Sequence, residues 1–294
     1  MDGELLRWLY HRLLHDPTLA RTPGCTYGDG VVLLAHFYAA SNNGSLLWAS
    51  DPAHWPAWCR AAVRLPSYSQ LNKRLKTVSV TGALASIDAE LRDRLPRGHE
   101  KVADGKPLVV GGFSHDPDAA RGKVPDGWAR GYKLHVIADA AAGAIDVHAV
   151  TPLDAGEATV LRRDLVPRVD LRGCTLRDDA NYDSNPCYGA VADAGGRMVA
   201  SRRKPGSGLG HHPQHPDRLR AIEELERTAG GSAAHRRVRN RVEQCLAHLT
   251  NLPFGLFALP NFVRRLPRVR LWVATKIMLY HLHKVLSLAR VEAA

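Results

Sequence analysis

Apolar residues recur at helical spacing through roughly the first 95 positions. The strings ELLRWLYHRLL, VVLLAHFYAA and GALASIDAELRDRL each place them three or four residues apart, which predicts amphipathic helices. The joints TPGCTYGDG, SNNGS and DPAHWP are rich in Pro, Gly and Asn and separate these runs. Between them, WPAWCRAAVRLPSYSQLNKRLKTV predicts two short helices across a tight turn. Ser67 or Ser69 would cap the second, with Gln70, Asn72, Lys73 and Arg74 along it. Two readings fit: a helix-turn-helix whose second helix enters a DNA groove, or a solvated amphipathic helix.

After LPRGHE the period changes. Short runs of β-formers follow: KVAD, PLVVGGF, YKLHVIAD and AIDVHAVTP. GEATVLRRDLVPRV then reads as helix, CTLRDDA as strand, NPCYGAVADAG as a short helix and RMVASRR as strand. From about residue 216 the pattern is helical except at LPFGLFALPNF. Strands in succession, then alternating helix and strand, predict an α/β or α+β domain with a mixed central sheet flanked by helices. The expected division is a helical N-terminal region over 1–95 and the sheet domain with its C-terminal helix over 96–294.

Composition narrows the function. The chain has 294 residues, 45% of them hydrophobic, and 40 Lys and Arg against 29 Asp and Glu, a formal charge of +11. That surplus favours a polyanionic partner, because each phosphate contact releases counterions. Five scattered cysteines without CxxC spacing point to a reducing compartment and away from a zinc site. MDGELLRWLYHRLLH is too charged for a signal peptide. VRLWVATKIMLYHLHKVL is interrupted by Arg270, Lys276 and Lys284 and reads as a packing helix, not a membrane span. A cytoplasmic protein is expected, with no membrane association.

Three acidic positions are candidates for chemistry. Asp104 lies in KVADGKPLVV. A carboxylate in an apolar strand needs a partner or a cation, unless it opens a turn with Gly105. CTLRDDANYDSN puts three aspartates within six positions, where like charges about 4 Å apart repel by roughly 4 kcal/mol at an effective dielectric near 20. Strand alternation places Leu176 with Asp178 on one face and Arg177 with Asp179 on the other, without choosing between the aspartates. Asp183 is placed to cap the next helix. Glu243 lies on HRRVRNRVEQCLAHLTNL beside a core stripe of Val238, Val242, Cys245, Leu246 and Leu249, with Arg239 and Arg236 on its own edge stripe. Metal ligation and surface ion pairing both fit Glu243.

In SRRKPGSGLGHHPQHPDRLR, Arg202, Arg203, Lys204, Arg218 and Arg220 flank flexible glycines, the makeup of a DNA-tracking loop. It has no GxxxxGK[ST] phosphate loop. His211, His212 and His215 suit a transition metal or a solvated loop. Lys133 and His135 share a strand face in GYKLH. The Arg264, Arg265, Arg268 and Arg270 run either covers DNA or solvates the start of the final helix.

Taken in order, DGKPLVVGGFSHDPDA, ARGYKLHVIAD, DDANYDSN and an R-x-x-x-E late helix resemble the IS4-type DDE transposases of bacterial insertion sequences, RNase H-like polynucleotidyl transferases. The resemblance runs from about Asp104 to the C-terminus and includes LPNFVRRLPRVRLWVATK; PSYSQLNKRL resembles the basic helix upstream in such proteins. It implies an RNase H-like catalytic domain after an N-terminal DNA-binding or dimerisation region. It makes Asp104, Asp179 (three residues before Tyr182) and Glu243 the ligands of two Mg²⁺ or Mn²⁺ ions, with Arg239 on a phosphate oxygen. DNA contacts fall to Arg202, Arg203, Lys204, Arg218, Arg220, Lys73 and Arg74. It further implies double-stranded element ends and target DNA as partners, a homodimer, and a bacterial, nucleoid-associated location. Arg236 and Thr250 stand where the family's signature carries tyrosine and lysine. A non-catalytic DNA-binding regulator is the alternative.

Overall fold

The computed structural model describes residues 3–19, 24–111 and 115–292. The end of the PLVVGGF run and part of the TPGCTYGDG joint lie outside the described residues. The chain forms two compact units. One comprises residues 1–95, 251–262 and 274–294, the other 96–250 and 263–273.

The first unit is helical: α1 (Gly3–Leu14), α2 (Asp29–Ser41), α3 (Leu46–Ala49), α4 (Ala57–Ala62), α5 (Tyr68–Arg74) and α6 (Val78–Asp93). Nearly all of α2 is buried, as its almost unbroken apolar run requires. The short pair α4 and α5 forms as expected, and Ser67 caps α5 in a capping box with Gln70. Arg74 faces inward and pairs with the buried Asp29, while Lys73 is exposed.

Lys276 ties this unit together from inside. Its Nζ donates to the carbonyls of Ala40 (2.5 Å) and Phe254 (2.8 Å) and to Asn43 Oδ1 (2.7 Å). The side chain is 1% exposed, and burial pulls its pKa down to about 7.

The second unit is built on a mixed sheet. Its strands are β1 (Glu100–Val109), β2 (Ala120–Val124), β3 (Gly127–Asp139), β4 (Ile145–Pro152), β5 (Thr175–Asp178) and β6 (Arg197–Ala200). β3 lies antiparallel to β1 on one side and to β2 and β4 on the other; β5 runs parallel to β1, and β6 parallel to β5. The unit's helices are α7 (Glu157–Val160, continued by a π-helical turn over Leu161–Leu165), α8 (Asn185–Asp193), α9 (Pro216–Ile222) and α10 (Gly231–Asn251), with the first turns of α11 (Leu266–Glu292), which from Ala274 onward belongs to the first unit. Ala103, Ile137, Leu176, Tyr182, Tyr188 and Met198 share one buried apolar cluster on a face of this sheet.

Two strand expectations change. KVAD and the start of PLVVGGF are one strand, so Asp104 and Gly105 lie inside β1 and open no turn. Pro107 is tolerated there because the Ala103 and Gly105 amides already point away from β3, and Pro107 has their parity. Its missing N–H therefore falls on an edge without a strand. The hairpin of β2 and β3 is the second change, since YKLHVIAD is only the end of β3. Its turn is signalled by Pro125-Asp126-Gly127, with Gly127 at φ 122°.

Replacing Lys276 by Met strips a buried donor from three oxygens. A loss of about 2 kcal/mol is expected, seen as a lower urea midpoint at pH 7. An unchanged midpoint would show that the three contacts are dispensable.

Candidate active site

β1 pairs with β3 along its length but with β5 only over Glu100–Val102. Beyond that point the β1 amides on the β5 side have no strand partner, and a buried amide cannot go unpaired cheaply. Two aspartates supply the acceptors. The Ala103 amide donates to Asp178 Oδ1 at 3.1 Å, and the Gly105 amide to Asp104 Oδ1 at 2.7 Å. Carboxylates thus gather where the sheet splits.

Alternation decides which aspartate goes where. Leu176 and Asp178 are buried, whereas Arg177 is held at the other face by Glu100 (2.7 Å) and Glu224 (2.9 Å). Asp178 is 0% exposed and its Oδ2 has no hydrogen-bond partner. Burial pushes its pKa well up, only partly offset by the Ala103 amide. Asp179 is half-buried. Its Oδ1 accepts from the Asn181 amide at 2.7 Å, and its carbonyl from the Tyr182 amide at 3.2 Å. This turn delivers the Tyr182 ring into the core, 1% exposed, with its hydroxyl unpartnered.

Asp183 does not cap α8. It forms a two-bond ion pair with Arg218, both contacts at 2.7 Å, and Ser184 occupies the cap position without a side-chain bond. The guanidinium outcompetes the backbone amides because both partners are charged.

Helix α10 carries His235, Arg239 and Glu243 four residues apart on one stripe, and it meets the end of β5 through His235. His235 is buried, and its Nε2 lies 3.1 Å from the Asp178 carbonyl, tethering α10 to the end of β5. His235 takes the core place expected for Val238, which is only half-buried. Arg239 is half-buried with its Nε unpartnered. Glu243 stands one turn further on and is exposed.

Asp104 registers this surrounding. Burial raises its pKa to about 6; the Gly105 amide and Arg239 oppose the rise, while Asp179 and Glu157 add to it. Asp104, Asp179, Arg239 and Glu157 are therefore electrostatic neighbours. Among the described residues, no three His, Cys, Asp or Glu side chains stand close enough to enclose a metal ion. That holds for Glu243 with the aspartates and for His211, His212 and His215.

A family described as "Transposase DDE domain" matches residues 99–282, from β1 into α11. The chain belongs to the DDE transposase family. No curated protein matches it significantly. Among solved structures it is similar to the piggyBac transposase synaptic complex with hairpin DNA, solved by cryo-EM. The TM-score is 0.47 at 11% identity, covering 98% of this chain and 74% of that one.

DDE transposase domains generally use divalent metal ions, and this donor set fits them. Its donors are hard carboxylate oxygens, and the orphaned Asp178 Oδ2 and Tyr182 hydroxyl are buried polar atoms left incomplete. Mg²⁺ needs only one or two carboxylates when water and phosphate fill the remaining positions, so a closed three-carboxylate cage is not required.

The basic loop of the DDE transposase is pinned by its own acids. Arg202 bonds both Glu226 oxygens and the Ser207 carbonyl, and Arg220 pairs with Asp217. Arg203 donates to the Ala180 carbonyl at 3.2 Å, next to Asp179. Arg202, Arg203, Lys204 and Arg218 line one cleft together with Asn181 and Asp183. His215 accepts from the Asp217 amide and so caps α9.

Sequence reasoning overlooked Glu157 and His235. Glu157 follows a glycine at the head of a predicted helix, where an acid is unremarkable. His235 falls in the very polar first turns of α10, where no apolar period marks it.

A carboxylate whose folded pKa lies above its unfolded one weakens the fold once it ionises. For Asp104 the window runs from 3.8 to about 6, and the native state holds the extra proton there, so stability falls as pH rises through it. Asp104→Asn keeps the acceptor for Gly105 and removes the charge. It should stabilise the protein at pH 7 by about 1–3 kcal/mol and leave it unchanged at pH 3.5, by denaturant titration. Equal effects at both pH values would contradict the charged origin.

Proposed function

We propose that this transposase cuts phosphodiester bonds at the ends of an IS4-type bacterial insertion sequence and joins the freed 3′ hydroxyls to target DNA. One observation carries this function. Two carboxylates, Asp104 inside β1 and Asp179 just past the end of β5, stand at the split of the sheet, and the charge of Arg239, whose Nε is unpartnered, acts on Asp104. Carboxylates and an unpaired guanidinium side by side are what cation-assisted handling of a phosphate demands.

In this reading Asp104, Asp179 and Glu243 hold two Mg²⁺ or Mn²⁺ ions. Bound there, the ions activate the attacking oxygen and stabilise the leaving one. Arg239 donates to a non-bridging phosphate oxygen, and His235 fixes the phase of α10 so that Arg239 and Glu243 present the same stripe. The strand order, with the three long antiparallel strands β4, β3 and β1 followed by parallel β5 and β6, supports assigning the unit to the RNase H-like class. Lys204 and Arg203, with Arg202 and Arg218, track the DNA backbone in the cleft, and Arg220 does so from α9; on the helical unit the exposed Lys73 contributes to a DNA-binding surface, whereas Arg74 is turned inward onto Asp29. Two ends joined in one event call for two active sites and hence a homodimer. The work is placed in the bacterial cytoplasm, at the nucleoid.

The exposed position of Glu243 favours one competing reading, a DNA-binding regulator that no longer cleaves. A Mn²⁺-dependent nicking and strand-transfer assay on duplexes carrying the element ends separates them. Cleavage by the wild type is expected, with Asp179→Asn and Glu243→Gln reduced to background while gel-shift affinity persists. Binding without nicking by the wild type establishes the regulator, and full activity in Glu243→Gln removes that residue from the ligand set.

A further inference from the structure

We propose that Glu157 is a fourth carboxylate of this site, meeting the ion held by Asp104 through its water shell and restrained by Lys133. The inference rests on the metal-dependent function above and adds a residue to it.

Glu157 opens α7, just after β4, and is half-buried. Its Oε1 lies 2.8 Å from where a Cβ on Gly105 would stand, and the Lys133 Cδ lies 3.2 Å from the same point. The Gly105 amide donates to Asp104 Oδ1 at 2.7 Å. Two carboxylates from different elements therefore converge on one residue that has no side chain, on the stretch of β1 that lacks a β5 partner. Lys133 Nζ holds Glu157 Oε1 at 3.0 Å, which offsets the repulsion between neighbouring acids.

An independent observation marks the place as incomplete. The Tyr182 hydroxyl is buried and unpartnered, and the charged groups acting on it are Glu157, Asp178, Asp104 and Asp179. Asp178 Oδ2 is likewise buried and unpartnered. A buried donor and a buried acceptor left open are costly in a purely structural cluster and expected where a hydrated cation completes it. Mg²⁺ and Mn²⁺ prefer oxygen donors, and Mg²⁺ gives up its waters reluctantly. A carboxylate behind the direct ligand accepts hydrogen bonds from those waters and tunes the site. A plain Lys133–Glu157 ion pair has no reason to sit over a glycine beside Asp104.

Mn²⁺ titration by calorimetry on the full chain without DNA, with each variant's fold checked by circular dichroism, separates the roles. Glu157→Gln should weaken Mn²⁺ binding by about 10–100-fold. Lys133→Met should tighten it, because Glu157 loses its competing cation. Gly105→Ala should weaken it by pushing the Glu157 carboxylate aside. Should Glu157→Gln fail to fold, the opposite signs of the Lys133 and Gly105 variants decide. Affinities within twofold of wild type in the folded variants overturn the inference, and the pair is then structural. If Asp104→Asn abolishes Mn²⁺ binding while Glu157→Gln retains it, only this inference falls. If the wild type binds no Mn²⁺, or Asp104→Asn binds it equally well, the metal-dependent function falls and takes this inference with it.

Discussion

Everything at the site follows from β1 being longer than its partner β5. A ten-residue strand pairs on one edge over its length and on the other over only Glu100–Val102. The amides past that point are partly buried and need acceptors, and carboxylates provide them at Asp178 and Asp104. Hydrogen-bond satisfaction thus places negative charge at the centre of the domain before any substrate is considered. Gly105 adds the room for a further acid to approach from the α7 side. A longer β5 would close the edge and leave neither the need for these carboxylates nor the space around them.

The resulting charge is poorly compensated inside the domain. Two cations of the same unit are closely paired. Lys101, 4% exposed, is held by Asp139 at 3.0 Å and Asp146 at 2.8 Å, and Arg177 by Glu100 and Glu224. At the split, Asp178 keeps an open oxygen, Arg239 an open Nε and Tyr182 an open hydroxyl. The same chain can therefore saturate a buried ion and does not do so here. Unspent hydrogen-bonding capacity gathered where carboxylates meet is a mark of stability given up for function.

Much of this was legible in the sequence, for identifiable reasons. The switch from helical to β period after LPRGHE located the sheet, and the Ser67–Gln70 spacing gave the cap of α5. Strand alternation separated Asp178 from Asp179 but could not say which face is buried; that depends on the α8 side of the sheet packing over Leu176. Asp104 was ambiguous because Asp-Gly is also turn chemistry, and only pairing with β3 shows the strand running straight through it. Asp183 was misassigned because its partner, Arg218, lies 35 residues away, and local capping rules carry no knowledge of that distance. Glu157 and His235 were invisible for the same reason: each is ordinary in its own helix and acquires meaning only through β1 and β5.

The arginines of the basic loop show that a cation's presence and its availability are different matters. Arg202, Arg218 and Arg220 each face a carboxylate of the same unit, so a DNA phosphate must displace an acid to use their full fork. Such pairs hold the loop in shape, and a phosphate approaching the cleft meets side chains already oriented. The long-range attraction comes instead from the net surplus of +11, which pairing leaves unchanged and which falls off over the Debye length. Encounter with DNA is thus governed by the whole surface. On the proposed function, placement near Asp179 falls to groups such as Arg203, whose Nε bonds a carbonyl of the adjoining turn.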